Sequence, residues 1–367
     1  MRPVGATFKT NGPEARLEVE HAPFGAIRGV VGLQVDSADF SALGVKAFVP
    51  TTRTRRHALF ALVELAWSGG ALSVGLRFER ARVTSDGDTE PTEVKFGPPG
   101  ERKLNVRSAS LSNVSMLSPN WSLTGALSAT ERAPTSFELF ANGVHVATGS
   151  FERGDRTLDA ERGTNVDWAS QWTQDGNHIR VGAFEARFAR FIALESTGAM
   201  VDVIEVDSSI ESFPDYQFRA VKAKLRGVEV EAKQRLLSGT LALDLSDKPD
   251  LVRTSKLSTG EPLPRVAPLR LMVGLDATFA GWTGRLELDC ANKQDRVPAT
   301  DIATARYTRI NATLTRRFDW GGTDALWFVS ARNLGDRLAY NATTIQKVRD
   351  LAPLPGRSVK AGVRVSF

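Results

Sequence analysis

The segment Ser358-Val359-Lys360-Ala361-Gly362-Val363-Arg364-Val365-Ser366-Phe367 alternates along its whole length. Val359, Ala361, Val363, Val365 and Phe367 fall on one side, and Ser358, Lys360, Gly362, Arg364 and Ser366 on the other. A 3.6-residue period would scatter both sets around a helix, whereas an extended strand separates them onto two faces. The same alternation recurs upstream. Leu72, Val74, Leu76 and Phe78 alternate with Ser73, Gly75, Arg77 and Glu79. Trp282, Gly284, Leu286, Leu288 and Cys290 alternate with Thr283, Arg285, Glu287 and Asp289. About fifteen such strands are read, centred near 14–21, 26–38, 53–67, 71–84, 106–118, 120–131, 160–173, 177–195, 216–236, 238–248, 263–279, 282–294, 302–318, 324–334 and 357–367. Most reach roughly 10 residues, longer than the ~5–6 typical of soluble sheets and long enough to cross a bilayer when tilted.

The connections sort into two kinds that alternate. The tight ones are Ala22-Pro23-Phe24-Gly25, Ser68-Gly69-Gly70, Pro119-Asn120, Gln174-Asp175-Gly176-Asn177, Ala280-Gly281 and Trp320-Gly321-Gly322. The long polar ones are 39–52, 85–105, 132–159, 196–215, 249–262, 295–301 and 335–356. Short turns on one side and long loops on the other is the asymmetry of an outer-membrane barrel. Trp67, Trp121, Trp172, Trp282 and Trp320 lie at or beside the short turns, with Trp168 and Trp327 slightly further in. An indole prefers the membrane–water interface, so these residues are expected to form a girdle at the periplasmic rim. The fold expected is all-β: one antiparallel transmembrane β-barrel domain over 1–367.

Composition narrows the function. Charged residues make up 24% of the chain and the net charge is +5, with both signs interspersed. A dedicated nucleic-acid surface needs clustered cations, so no nucleic-acid partner is expected. No stretch approaches the ~18–20 apolar residues of a spanning helix. Cys290 is the lone cysteine and has no internal disulfide partner. The N-terminus, MRPVGATFKTNGPEARLEVEH, shows no apolar leader segment. Neither a G-x-S-x-G elbow, a P-loop nor a paired-histidine zinc motif is found, so neither an enzyme nor a cofactor is expected.

The end of the chain resembles TonB-dependent outer-membrane receptors. Asn333-Leu334-Gly335-Asp336, Ala339-Tyr340-Asn341-Ala342, Pro353-Leu354-Pro355-Gly356-Arg357 and the terminal aromatic follow that family's ending in order. Glu131-Arg132-Ala133-Pro134 with Glu138-Leu139-Phe140 is similar to its mid-barrel E-R-x-P-x-x-x-E-L-[FY] block. The continuation Val144 to Thr148, Phe151 to Asp155 and Leu158 to Glu161 is most similar to the zinc and metal-uptake branch. Arg226-Gly227-Val228-Glu229-Val230-Glu231 resembles the family's G-[VL]-E-x-E strand.

The resemblance implies the last two-thirds of a 22-stranded receptor barrel, without plug or signal peptide. A C-terminal piece of this kind is not expected to transport alone. Location in the outer membrane, among its lipids, is implied. So are uptake of a scarce extracellular ligand such as a metal ion or chelate, coupling to the TonB complex only through the absent plug, and handling by the barrel-assembly machinery. Phe367 is then the assembly signal: deleting it should slow assembly and leave ligand affinity intact. Arg77, Glu79, Glu229, Glu231, Lys233, Arg285, Glu287, Asp289, Lys360 and Arg364 are expected to line the lumen. Loop 132–159 carries Glu138, His145, Glu152 and Asp155, whose carboxylates and imidazole are the best ligand candidates. The chain has only four histidines, none clustered, so no metal site is assigned. The competing readings are a complete plugless porin and a soluble β-rich binding protein.

Overall fold

The computed structural model describes residues 6–44, 46–88, 95–204 and 208–366. The chain forms strands β1 (Thr7–Asn11), β2 (Glu14–Glu20), β3 (Ile27–Leu43), β4 (Thr52–Trp67), β5 (Gly70–Ser85), β6 (Gly100–Ser118), β7 (Trp121–Arg132), β8 (Asn142–His145), β9 (Ser150–Arg153) and β10 (Glu161–Gln174). It continues with β11 (Asn177–Ile204), β12 (Ile210–Leu237), β13 (Leu241–Lys256), β14 (Arg270–Phe279), β15 (Trp282–Ala291), β16 (Tyr307–Asp319), β17 (Asp324–Arg332) and β18 (Ser358–Val365). Two short helices, α1 (Ser136–Phe140) and α2 (Gln346–Arg349), sit in loops. No helix among the described residues is long and apolar enough to cross a membrane.

Of the eighteen strands among the described residues, β1, β8 and β9 stand outside the main meander, leaving fifteen that pair antiparallel in sequence order from β2 to β18. β1 pairs with the far end of β3, so β1 and β2 act as one strand broken at Gly12-Pro13. Glycine is required at the break by the close backbone approach: a Cβ on residue 12 would stand 2.4 Å from the Ser37 carbonyl oxygen.

Cross-strand register carries the apolar face around the wall. Leu65, Val63 and Leu59 stand opposite Leu72, Val74 and Phe78. Val74 and Leu76 stand opposite Leu111 and Ala109, and Leu127 stands opposite both Leu111 and Val166. Apart from half-buried Leu72 these side chains are exposed, which for a barrel wall is the lipid side. The buried core lies elsewhere, at the long-loop end, where Val49, Val83, Leu139, Phe140, Leu158 and Ile192 collect.

The expected strands correspond one to one with the meander, but several limits move. Of segment 196–215, expected to be a loop, 196–204 and 210–215 are strand: β11 and β12 run 28 residues each. Strict alternation of long and short links therefore breaks there. Tyr216 to Ser196 and Phe213 to Val201 pair directly, with bulges at Phe188/Phe191 and Ser196/Met200 absorbing irregular spacing. Part of the expected loop 249–262 also belongs to β13, which is held by β12 on one edge and β14 on the other. Segment 263–269, expected as strand, is loop, as are 292–294 and 302–306. Loop 132–159 holds structure of its own: α1, β8 and β9.

A folded loop over the lumenal wall

Loop 133–160 begins where Pro134 stops the strand and Thr135 caps α1. The Thr135 hydroxyl accepts from Glu138 N, and Glu138 Oε2 accepts from Thr135 N at 2.6 Å. Reciprocal capping makes even a helix of five residues worth forming. Arg132 then bridges the two ends of the loop: it donates to Glu138 at 2.9 and 3.1 Å and to Glu161 at 3.0 and 3.2 Å. Bidentate guanidinium–carboxylate contacts fix geometry as well as charge.

The helix buries Leu139 and Phe140 against Val83, Leu158 and Ile192, with Phe218 alongside. Phe137 packs on Phe40 and Phe48 at ring distances of 5.0 and 5.8 Å. Val83 and Ala81 face away from the lipid side, opposite in parity to Phe78, so the loop lies on the inner wall. Arg102 donates to Leu158 O and Asp159, and Arg156 donates to Phe96 O and Pro98 O. β9 finally pairs in parallel with β12 at Asp215–Gln217. It covers an edge that β13 leaves open, because the β12–β13 ladder begins only at Ala223. A capped edge removes a template for pairing with other chains.

Within this framework the four candidate residues do not converge. His145 Nδ1 and Glu152 Oε1 are 2.9 Å apart, and the Thr148 hydroxyl donates to the same oxygen at 2.7 Å. His145 stacks on Phe48 at 4.4 Å, and Glu152 is 4% exposed. Glu138 is held by the helix cap and Arg132. Asp155 accepts from the backbone and hydroxyl of Thr157. Among the described residues no three His, Cys, Asp or Glu side chains form a group that could hold a metal ion.

The lumenal wall carries a second polar array. Arg285 donates to Asp276 at 2.6 Å and to Glu287 at 3.1 Å. Arg309 pairs with Asp289, and Asn311 donates to Glu287 at 3.1 Å. Arg285, Glu287, Asp289, Arg309 and Asn311 line a cavity of about 360 Å³ together with Thr313, Ser330 and Arg332. Arg77 likewise bridges Glu79 and Gln34, and Glu231 meets Lys248 at 2.7 Å.

Sequence reasoning missed three fixtures of the mouth. Arg349, 3% exposed, pairs with Asp301 at 3.0 Å and donates to Ile302 O, tying loop 333–357 to loop 292–306. Lys256 sits between Glu195 and Glu261 at 2.6 and 2.7 Å. Asp88 gathers the backbone N–H groups of Phe96, Gly97 and Lys95. Burial pushes that carboxyl up, but those donors and the Arg156 charge outweigh it, so it lies below the usual carboxylate range. A signal existed only for the last loop, where Asn333 adopts φ +49° and accepts from Arg337 N while donating to Pro355 O.

The tryptophans sit at the short-turn end. Trp67, Trp121, Trp172 and Trp282 share the parity of the apolar face, and Trp320 lies in a turn. Trp121 stands opposite Trp172. Trp282 meets Trp327 edge-on at 5.9 Å and carries Arg316 over its ring at 4.9 Å. Phe367 lies outside the described residues.

Comparison with known proteins agrees with this architecture. Residues 6–334 match the family model described as TonB dependent receptor-like, beta-barrel. The chain is similar to the copper transporter OprC, with TM-score 0.78 and 17% identity over 98% of this chain and 56% of that one. It is similar to the ferric citrate transporter FecA, with TM-score 0.67 and 14% identity over 98% and 55%. The FrpB iron transporter from Neisseria meningitidis gives TM-score 0.68 and 13% identity over 97% and 55%. The chain thus spans a little over half the length of these solved structures. An antiparallel strand meander with polar inner and apolar outer faces, matched over residues 6–334, places this chain in the TonB-dependent receptor β-barrel family.

Proposed function

We propose that this chain is the barrel wall of an outer-membrane TonB-dependent receptor that imports a scarce nutrient, and that the nutrient is a metal chelate rather than a bare ion. The observation that carries the reading is the lumenal array of Arg285, Glu287, Asp289, Arg309 and Asn311 around a cavity of about 360 Å³. Such a wall offers many donors and acceptors to a polar, ligand-wrapped metal. A bare ion would instead have to displace the arginine, hydroxyl and amide partners that already hold Glu138, Glu152 and Asp155. Similar structures carry the names of a copper transporter, a ferric citrate transporter and a ferric enterobactin receptor, which supports the metal class.

Uptake of radiolabelled iron, copper and zinc chelates by cells with and without the intact gene tests this. Deletion should abolish energy-dependent uptake of one chelate, and Arg285→Gln with Arg309→Gln should weaken it. Uptake that survives an uncoupler would show a passive pore instead.

A further inference from the structure

The tip of the β11–β12 hairpin and the loop hairpin β8–β9 enclose a cavity of about 220 Å³. Strand pairing explains why its walls share one character. Val203 stands opposite Glu211, and Val201 opposite Phe213, so these four side chains lie on one face of the tall hairpin. Val144 stands opposite Phe151, and Phe151 is in register with Asp215, two residues along β12 from Phe213. The two hairpins are thus one sheet, β11–β12–β9–β8, and Val203, Phe213, Phe151 and Val144 line the cavity from a single face.

The rim of this cavity is apolar where no lipid can cover it. Val146 and Ile204 line it and are 67% and 74% exposed, and Ile210, opposite Ile204, is 68% exposed. On the barrel wall such exposure faces acyl chains, but at the top of a 28-residue hairpin it faces water. Contiguous apolar surface in water marks a binding site. The charges that line the cavity are two ammonium groups, Lys46 and Lys95, and one carboxylate, Glu211. That set complements a monoanion, whereas a phosphate ester carries about −1.5 to −2 at neutral pH.

We propose that this cavity binds a small apolar monocarboxylate, an aryl or branched alkyl acid. Its body lies against Val203, Phe213 and Phe151, and its carboxylate turns toward Lys46 and Lys95. The volume falls below the ~300–1,000 Å³ of pockets for drug-sized ligands, which fits a compact acid and not a length of polypeptide. The site shares no residue with the lumenal cavity around Arg285 and Arg309, so it stands beyond the chelate reading. It rests only on the barrel standing in a bilayer with its long loops in water.

The test uses the full chain in phosphatidylcholine nanodiscs, with heat-modifiable gel migration confirming an assembled barrel. Binding of 2-naphthoate is measured by equilibrium dialysis against empty nanodiscs, beside uncharged 2-naphthamide and acetate. Naphthoate should saturate a single site, naphthamide should bind about tenfold more weakly for want of the charge-assisted contacts, and acetate should not bind. Lys46→Gln with Lys95→Gln should bring naphthoate down to the level of naphthamide and leave naphthamide unchanged. Ile204→Ser, at an exposed tip where folding is not at stake, should weaken both aryl ligands about fivefold. Equal binding of naphthoate and naphthamide would overturn the proposal and mark a plain apolar trap. Tighter binding of a tripeptide ending in phenylalanine would overturn it in favour of a peptide partner, and unchanged binding in both variants would place the acid elsewhere. A barrel that assembles and takes up its chelate yet binds no naphthoate loses this site and keeps the receptor reading; one that never becomes heat-modifiable loses both.

Discussion

The two ends of this barrel are built by different rules. At the short-turn end the chain reverses within two residues: Asp175-Gly176 and Ala280-Gly281 both carry positive φ, the two-residue hairpin geometry that matches strand twist. Everything needed is local, and the rim it leaves is a row of aromatic rings. At the long-loop end Leu139 meets Ile192, Arg102 reaches Leu158, and Arg349 reaches Asp301. These contacts join segments about 50 residues apart, so the mouth is a small folded core seated in a barrel whose wall has none.

If that contrast is right, damage to the mouth should stay in the mouth. The largest effect is expected from Arg349→Met, which strands a buried Asp301 carboxylate at a cost of about 3–5 kcal/mol. Hydrogen exchange should show 292–306 and 333–357 released together, with the short turns still protected. Phe140→Ala comes next: emptying the core beneath loop 133–160 should cost about 3 kcal/mol and open that loop to limited proteolysis. An unchanged cleavage pattern would mean that the loop is held by its arginines alone. At the opposite end Ala280→Gly should stabilise by about 1 kcal/mol, because glycine adopts φ +48° without steric strain. A higher unfolding temperature in detergent, with loop protection unaltered, is the expected reading.

The smallest effect concerns acid. The Asp88 carboxyl titrates below its ordinary value in the folded chain, so its contribution is present above the unfolded value and fades as pH falls through the folded one. Exchange protection at 95–97 should therefore be flat from pH 7 down to about 4, near the ordinary carboxylate value, and fall only below it.

The same contrast explains what could be read in the sequence. Period-two alternation reports which face a residue occupies without reference to any distant partner, so Leu72 to Glu79 and Val359 to Ser366 were legible. Turn chemistry at Ala280-Gly281 was legible for the same reason. Segment 196–215 was not: Pro214, Asp215 and Ser208-Ser209 read as loop, yet pairing across a hairpin and two bulges makes most of it strand. The partnering of Glu138, Glu152 and Asp155 was also hidden. Their side chains carry metal-ligand chemistry, but which arginine, hydroxyl or amide they meet depends on how the loop closes.

The long hairpin has a consequence for what the cell shows its surroundings. Strands of 28 residues rise ~3.4 Å per residue, and tilted near 45° they stand roughly 65 Å tall, about twice the ~30 Å hydrocarbon layer. The upper half of β11–β12 is therefore a mast above the lipid headgroups. A large particle approaching from the long-loop side would meet that hairpin before the folded core of the mouth.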